Sequence, residues 1–422
     1  MKDPVTGNLI TSNDKINEAA VKVYTERLQN APMKDHLKHI KEAKEKLCDK
    51  VLQVAKKNKT PPWKLKDLDI VLRNLKKQKS RDPHGLANDI FRPDVAGDDL
   101  KQAILRMMNG IKEEQTFPKC LELCNISSLW KKKGSRNEFD FYRGIFRVTI
   151  FRSILDRLIY NDEIAKIDAN LTDSNVGGRK HRNISDNIFV MNAILNNIRK
   201  ENGEAYDFQI YDIEKCFDKL WLHEVINCLY EAGLQNDKLP LLFLENVNAQ
   251  VAVKSNGEIS KRVNIKEIIM QGSVWGSICC VVLMDKLGKL AYKNPEMLFY
   301  YKNLVGTPPL QMVDNIMSIQ RCSSKSLNIN TAINTFIDLE QLTLSRNKCH
   351  NIHIGKQNVE CPALKVNGHK MKNSAQETYL GDVIDQSAKQ KLNIENRKAK
   401  GYGALNNILA IVNELPHSHW KV

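Results

Sequence analysis

Between residues 205 and 385 the sequence alternates short apolar strands with helices and punctuates them with tight-turn pairs. This punctuation constrains the fold more than any other feature. Phe208-Gln-Ile-Tyr-Asp-Ile213 reads as a strand, and Leu222 to Ala232 as a helix with Gly233 in the position that favours a left-handed cap. Ala249 to Lys254 and Glu258 to Ile265 flank Asn256-Gly257, a pair whose tolerance of positive φ suits a two-residue hairpin. Val274 to Leu290 reads as an apolar helix, Leu310 to Gln320 as two short strands turning at Asp314-Asn315, and Asn367-Gly368 as a further hairpin. Strands and hairpins covered by helices make an α+β pattern rather than a strict βαβ repeat.

Before this region the chain reads as helical. Ile16, Ala20, Val23 and Leu28 recur at helical spacing over about residues 14 to 58, and Asp14 suits the first turn. Pro61-Pro62 ends that stretch, and a second helix is predicted from Lys66 to about Lys77. Lys56, Lys57 and Lys59 form a charge run that reads either as a solvated face or as a nucleic-acid contact. At the other end Leu405, Leu409 and Val412 stripe a last helix, stopped by Pro416.

Charge narrows the partner. Lys and Arg number 64 against 49 Asp and Glu, giving +15, and basic surface gains affinity for polyanions by releasing phosphate counterions. The longest apolar run, Ile278 to Met284, is far too short to span a bilayer, so no membrane association is expected. The opening Met-Lys-Asp-Pro-Val-Thr-Gly lacks an apolar signal region, which points to an intracellular setting, nucleus or cytoplasm, with the ten cysteines reduced. Cys349, His350, His353 and Cys361 match no standard zinc spacing, and strand alternation over Asn351 to Gly355 would split them between faces. Cys120 and Cys124, at helical spacing, read as core.

Phosphoryl transfer to a growing strand needs two divalent metals roughly 3.5–4 Å apart, held by a few carboxylates. Two places offer aspartates at strand ends that can converge: Tyr211-Asp-Ile-Glu-Lys-Cys-Phe-Asp218 and Met312-Val-Asp-Asn315. Either one alone is weak, because Asp commonly caps helices and fills turns.

Taken in order, the segments resemble the successive motifs of reverse transcriptases, most of all those of non-LTR (LINE-type) retrotransposons. Lys79-Ser-Arg-Asp-Pro-His-Gly-Leu-Ala-Asn-Asp89 resembles the first fingers motif. Trp130-Lys-Lys-Lys-Gly134 with Phe141-Tyr-Arg-Gly-Ile145 resembles the fingers hairpin, and Gly177-Gly-Arg-Lys-His-Arg182 with Ser185-Asp186 the template-side motif. Tyr211 to Asp218 is similar to motif A, Gln271-Gly-Ser-Val-Trp-Gly276 to motif B, and Met312 to Asn315 stands where motif C belongs. Ser345-Arg-Asn-Lys348 resembles motif D, and Tyr379-Leu-Gly381 the primer grip. The resemblance covers about residues 65 to 385 and implies a right-hand polymerase fold. Its expected parts are a helical N-terminal extension over 1–62, fingers over 63–205, palm over 206–388 and the start of a thumb over 389–422.

The resemblance also implies roles. Asp212, the carbonyl of Ile213 and Asp314 would hold two Mg2+ ions, with Mn2+ as a substitute, and Asn315 would stand beside them. Phe217 would be the steric gate against a ribose 2′-hydroxyl, its alternative being plain core packing. Arg143 with Lys132 (or Lys131 or Lys133) would clamp the dNTP triphosphate, since guanidinium and ammonium groups pair with phosphate oxygens. Gln271 and Gly272 would lie beside the incoming base and sugar, and Lys348 would protonate pyrophosphate or serve as an ordinary surface lysine. Arg179 and Arg182 would grip template phosphate, and Tyr379, Leu380 and Gly381 the primer. Asp218 reads as a structural cap of the following helix. The partners implied are an RNA template, a DNA primer and dNTPs.

The sequence departs from the family at motif C, where two consecutive aspartates are the pattern and this chain has Asp314-Asn315. The resemblance to a thumb begins at Arg397-Lys-Ala-Lys-Gly-Tyr-Gly403, the first residues resemble the linker that follows the family's endonuclease, and the downstream cysteine-histidine knuckle is missing. On this reading the chain is a fragment or truncated copy without nicking activity. Three other readings compete: a nucleic-acid-binding remnant, an intron maturase, and a basic structural protein, which would not explain the ordered motifs. The charge generates the first prediction. Binding to primer-template in a filter titration should weaken by orders of magnitude between low and above-physiological salt if about six or more phosphates are contacted; a flat profile would refute it.

Overall fold

A computed structural model describes residues 1–28, 37–199, 204–255, 258–267, 269–300, 306–355, 362–387 and 391–414. In chain order the elements are α1 (Asn13–Leu28), α2 (Lys38–Lys57), α3 (Leu65–Arg73), α4 (Asp98–Glu114), β1 (Leu123–Trp130), β2 (Tyr142–Val148), α5 (Ile150–Ala169), α6 (Ile184–Ile198), β3 (Ala205–Asp212), α7 (Cys216–Lys219), α8 (Leu222–Glu231) and α9 (Leu239–Val247). There follow β4 (Asn248–Ser255), β5 (Glu258–Ile259), β6 (Val263–Lys266), α10 (Gly276–Lys293), β7 (Leu310–Met312), β8 (Asn315–Arg321), α11 (Ser324–Leu339), β9 (His350–Gly355), β10 (Lys365–Val366), β11 (His369–Lys370), β12 (Lys372–Asn373), β13 (Gln376–Tyr379), β14 (Asp382–Asp385) and α12 (Lys391–Glu414). They form two compact units. One comprises 1–180, 214–286 and 338–342, and the other 181–213, 287–337 and 343–422. The predicted mixed architecture with a helical N-terminus is present, and no helix among the described residues is long and apolar enough to cross a membrane.

In the first unit a mixed sheet runs β2-β1-β4-β5, with β6 also paired to β4 and β1 parallel to β4. Its apolar face is covered by α1, whose Ala20, Val23 and Tyr24 join Ile126, Phe146, Val251 and Val253 in one core. The helical spacing read from the sequence is therefore the face that docks. The unit also buries charge. Lys44 pairs with Glu340 at 2.9 Å and Glu224 at 3.4 Å, and Lys286 bridges the same two carboxylates. Burial pushes Glu224 upward, but Lys44 and Lys286 outweigh it and hold its pKa below the ordinary glutamate value.

In the second unit the sheet order is β12-β9-β3-β8-β7, with β3 antiparallel to both β8 and β9. Strand alternation divides β3 cleanly. Tyr206, Phe208 and Ile210 enter a core with Met191, Ile194 and Leu195 of α6. Asp207, Gln209 and Tyr211 point the other way into a buried polar layer. There Ser326 Oγ donates to Asp207 at 2.6 Å, Gln209 Nε2 donates to Ser326 Oγ at 2.8 Å and Asn330 Nδ2 to Tyr211 Oη at 2.8 Å. Satisfying each of these groups is what lets a polar face be buried at all.

Several local readings are corrected. The second helix stops at Arg73, not Lys77. Cys124 is in the core as expected, on β1, but Cys120 is exposed, so the two do not share a helix face. Asp218 does not cap α8, which starts after Trp221 without a side-chain cap; it sits inside α7, where burial raises its pKa. The turn of the β7–β8 hairpin is Val313-Asp314, with Asn315 already paired to Met312. Leu405 is exposed, and the side chains of Leu409 and Val412, the Asn256-Gly257 turn, Cys361 and Pro416 lie outside the described residues. Cys322 is disulfide-bonded, against the expectation that all cysteines are reduced, whereas eight others are free.

The buried charge cluster gives the second prediction. Lys286→Met should lower the unfolding free energy by about 3 kcal/mol, because two buried carboxylates lose a shared cation. The depressed Glu224 pKa makes a contribution that is complete above the ordinary glutamate range and lost as pH falls through the folded value. The variant's acid-unfolding midpoint should accordingly move to higher pH. Urea titrations over a pH series read both effects, and an unchanged midpoint would exclude the charge argument.

Candidate active site

Strand β3 ends on Asp212, directly opposite Asn315 at the start of β8. Directly opposed residues on antiparallel strands project to the same face, so the register alone sets these two side chains side by side. Asp314 is in the turn immediately before. That turn places Val313 at φ +58°, a conformation that a β-branched residue rarely adopts. In a two-residue hairpin the first turn position with positive φ usually falls to glycine. Strained backbone of this kind is tolerated where neighbouring structure over-determines it and is concentrated at functional sites.

Asp212 is held from below by the segment after α11. Ser345 N–H donates to its carbonyl at 2.8 Å, its own N–H meets Cys349 Sγ at 3.4 Å, and Ile213 forms an antiparallel bridge with Leu344. Burial pushes the Cys349 thiol up to about 11, so it remains a neutral support. Ser345 and Cys349 were not singled out from the sequence as positioning residues. Their position just past a helix gives no local hint of what they touch.

Electrostatically the site is self-satisfied. Lys348 Nζ donates to Asp212 Oδ1 at 2.7 Å. Asn315 Nδ2 donates to Asp314 Oδ1 at 3.3 Å, an interaction that an aspartate could not make. Lys348, whose side chain is largely exposed, thus reaches the carboxylate that the family resemblance implies as a metal ligand. The donor set of half-buried carboxylate oxygens at one end of the sheet's strands suits a hard cation such as magnesium. It is one formal charge poorer than a set with aspartate at 315.

In the second unit the other expected residues divide. Arg182 is exposed. Tyr379 is 2% exposed and its hydroxyl donates to Leu310 O at 3.0 Å, so it anchors the β13–β14 hairpin to β7 and cannot touch a primer directly. Leu380 and Gly381 form the hairpin's turn, both with positive φ, and Gly381 is open to solvent.

In the first unit Arg143 lies on β2 opposite Leu129, exposed and without a hydrogen-bond partner among the described residues. Lys132 is exposed in the turn after β1, and Lys131 donates to Asp140 O at 2.8 Å. Phe217 is half-buried on α7. Gln271 O accepts from Phe146 N–H at 3.0 Å, and Gly272 has φ +108° with space for a Cβ limited by Phe146 O at 3.2 Å. The glycine is therefore required by the fold as well as suited to a close approach. Arg179 is a correction. It is buried, donating to Asp168 Oδ1 at 2.6 Å, Asp168 O at 3.1 Å and Asn175 O at 3.0 Å, so its guanidinium ties a loop together and is not available to template phosphate.

A strand-end aspartate held in register beside a turn aspartate, on an antiparallel sheet backed by helices, is an arrangement suited to nucleotidyl transfer. The chain belongs to the reverse transcriptase (RNA-dependent DNA polymerase) family, whose model matches residues 131–391. Among curated proteins none matches the chain. Membership implies nucleotidyl transfer, general use of divalent metals, and a nucleic-acid template and primer.

The paired nitrogen donors generate the third prediction. Asn315→Asp removes one donor and restores one carboxylate, so calorimetric titration should show Mg2+ or Mn2+ bound at least tenfold more tightly, corresponding to about 1.4 kcal/mol. The melting temperature should barely move, because the two side chains are nearly isosteric. Unchanged metal affinity would remove Asn315 from the site.

Proposed function

We propose that the chain is the RNA-directed DNA polymerase core of a non-LTR retrotransposon, extending a primer with deoxynucleotides on an RNA template. The observation that carries this reading is Asp212 standing in register opposite Asn315, with Asp314 in the adjoining turn. The ordered sequence motifs support the lineage. On this reading, residues 206–388 serve as palm, 63–205 as fingers and 389–422 as the start of a thumb.

Asp212 and Asp314, with the main chain at Ile213, would hold the divalent ions. When bound, those ions stabilise the attacking and leaving oxygens of the displacement. Lys348, at 2.7 Å from Asp212, holds a proton where it can neutralise the carboxylate or pass to a departing pyrophosphate. Arg143 and Lys132 offer exposed donors for triphosphate oxygens. The half-buried ring of Phe217 serves as the block to a 2′-hydroxyl, and Gln271 and Gly272 meet base and sugar. Arg182 serves template phosphate, and the Leu380-Gly381 turn offers its backbone to the primer.

One observation favours a second reading, a nucleic-acid-binding protein with weak or no synthesis. Each aspartate of the site already accepts from a nitrogen of the chain itself. Primer extension on RNA at saturating primer-template separates the two readings. A charge deficit worth about 3 kcal/mol of transition-state stabilisation slows turnover roughly a hundredfold, so Asn315→Asp should recover about that factor in Mg2+, with Mn2+ giving part of it to the unaltered chain. In the Asn315→Asp background, Phe217→Val should raise ribonucleotide incorporation relative to deoxyribonucleotide. No extension by Asn315→Asp, with binding intact, would establish the second reading. Extension with unchanged sugar discrimination would return Phe217 to packing.

A further inference from the structure

The alternation that separates His350 from His353 along β9 also gathers a different set, from β3, β9 and the residue that follows β8. Asp207 of β3 stands opposite His353 of β9 on one side and Gln320 of β8 on the other. Cys322, two residues beyond Gln320, keeps the same face, and its N–H still donates to Ala205 O at 2.8 Å. One ligand-type atom from each of Asp207, Cys322 and His353 lies within 4.8 Å of the other two. His353 Nδ1 and Asp207 Oδ1 are 3.3 Å apart. Zinc bonds of about 2.0–2.3 Å in a tetrahedral site need ligand atoms about 3.5 Å apart. The His–Asp pair is thus already at that spacing, and the sulfur needs to close by an ångström or so.

The surroundings fit a bound ion. Asp207 is fully buried, and its carboxylate is oriented by Ser326 Oγ at 2.6 Å and Asn351 Nδ2 at 2.9 Å, the outer hydrogen bonds that fix metal ligands in place. A cavity of about 470 Å³ is lined by Asp207, His353, Asn351 and Asn373, giving a fourth coordination position access to water. Lys370 is among the lining residues and favours an anionic fourth ligand such as hydroxide. The mixed sulfur, nitrogen and oxygen donors select zinc over the hard cations suited to Asp212 and Asp314. Along β3, Asp207 is five residues, or about 16 Å, from Asp212.

We propose that Asp207, Cys322 and His353 form a zinc site in the reduced protein, for which the Cys322 disulfide is the metal-free alternative. Opening the disulfide takes two electrons and two protons and gives two thiols. A phosphine reductant supplies them by acquiring an oxygen from water and becoming its oxide. The Cys322 thiol then releases its proton to solvent as its sulfur bonds to the metal, while His353 binds through an unprotonated ring nitrogen. The proposal does not depend on polymerase activity.

The test is cobalt titration of the whole chain reduced with a phosphine, followed by displacement with zinc. The expected result is a thiolate-to-cobalt charge-transfer band arising from one cobalt per chain. That band should be lost in Cys322→Ser, with affinity reduced at least tenfold in His353→Ala. It should be retained in Cys120→Ser and in Asp212→Asn, the latter showing that the polymerase carboxylates are not the ligands. Absence of the band in reduced protein, its persistence in Cys322→Ser, or equal binding with the disulfide intact would overturn the proposal. Should the variants fail to fold by circular dichroism, zinc protection of Cys322 from iodoacetamide in the reduced, unaltered chain, read by peptide mass, decides instead; no protection overturns it.

Discussion

Strand β3 is paired on both edges and buried on both faces, and the second unit depends on it. Its even-numbered residues supply the apolar core shared with α6, and its odd-numbered residues supply the polar layer closed by Ser326 and Asn330 of α11. A slip of one residue would exchange the two faces, exposing Asp207, Gln209 and Tyr211 to the apolar core. Both faces therefore specify the register, and the register in turn sets Asp212 opposite Asn315. The candidate site is a consequence of that double burial and stands at the end of the strand, where packing ceases and solvent begins.

The chemistry of the site turns on a single change of charge. Asn315 keeps the size of an aspartate and adds one hydrogen bond, donating to Asp314 where a carboxylate would repel it. Together with Lys348 on Asp212, this leaves each remaining carboxylate accepting a hydrogen bond from the chain, Asp212 from a cation and Asp314 from a neutral amide. A cation at this site has to compete with these two donors for the same carboxylate oxygens.

The polymerase-family reading was legible because it rests on residue types at fixed separations. The glycine, asparagine and aspartate turn positions, the period-two strands and the ordered motifs are all local properties, and the family match over 131–391 agrees with them. Individual roles were less legible. Arg179 and Tyr379 carry groups suited to phosphate and base, yet both are buried and engaged by Asp168 and Leu310. A basic or aromatic residue has the same character in the sequence whether its partner is a ligand or a distant carbonyl. Asp218 failed for a related reason: a short helix intervened, and a cap depends on backbone geometry at one residue rather than on proximity in sequence.

By itself the sequence determined the alternation of strands and helices, the excess of positive charge and the Asp-Asn pair in place of two aspartates, because each is a matter of residue type and spacing. Only the tertiary structure decided that Asn315 faces Asp212, that Lys348 reaches the same carboxylate, and that Asp207, Cys322 and His353 gather from two strands and the turn after a third. Those contacts join residues more than a hundred positions apart in most cases. Strand register brings them together, and it is fixed by burying two faces at once, a condition on the whole sheet that no local segment carries.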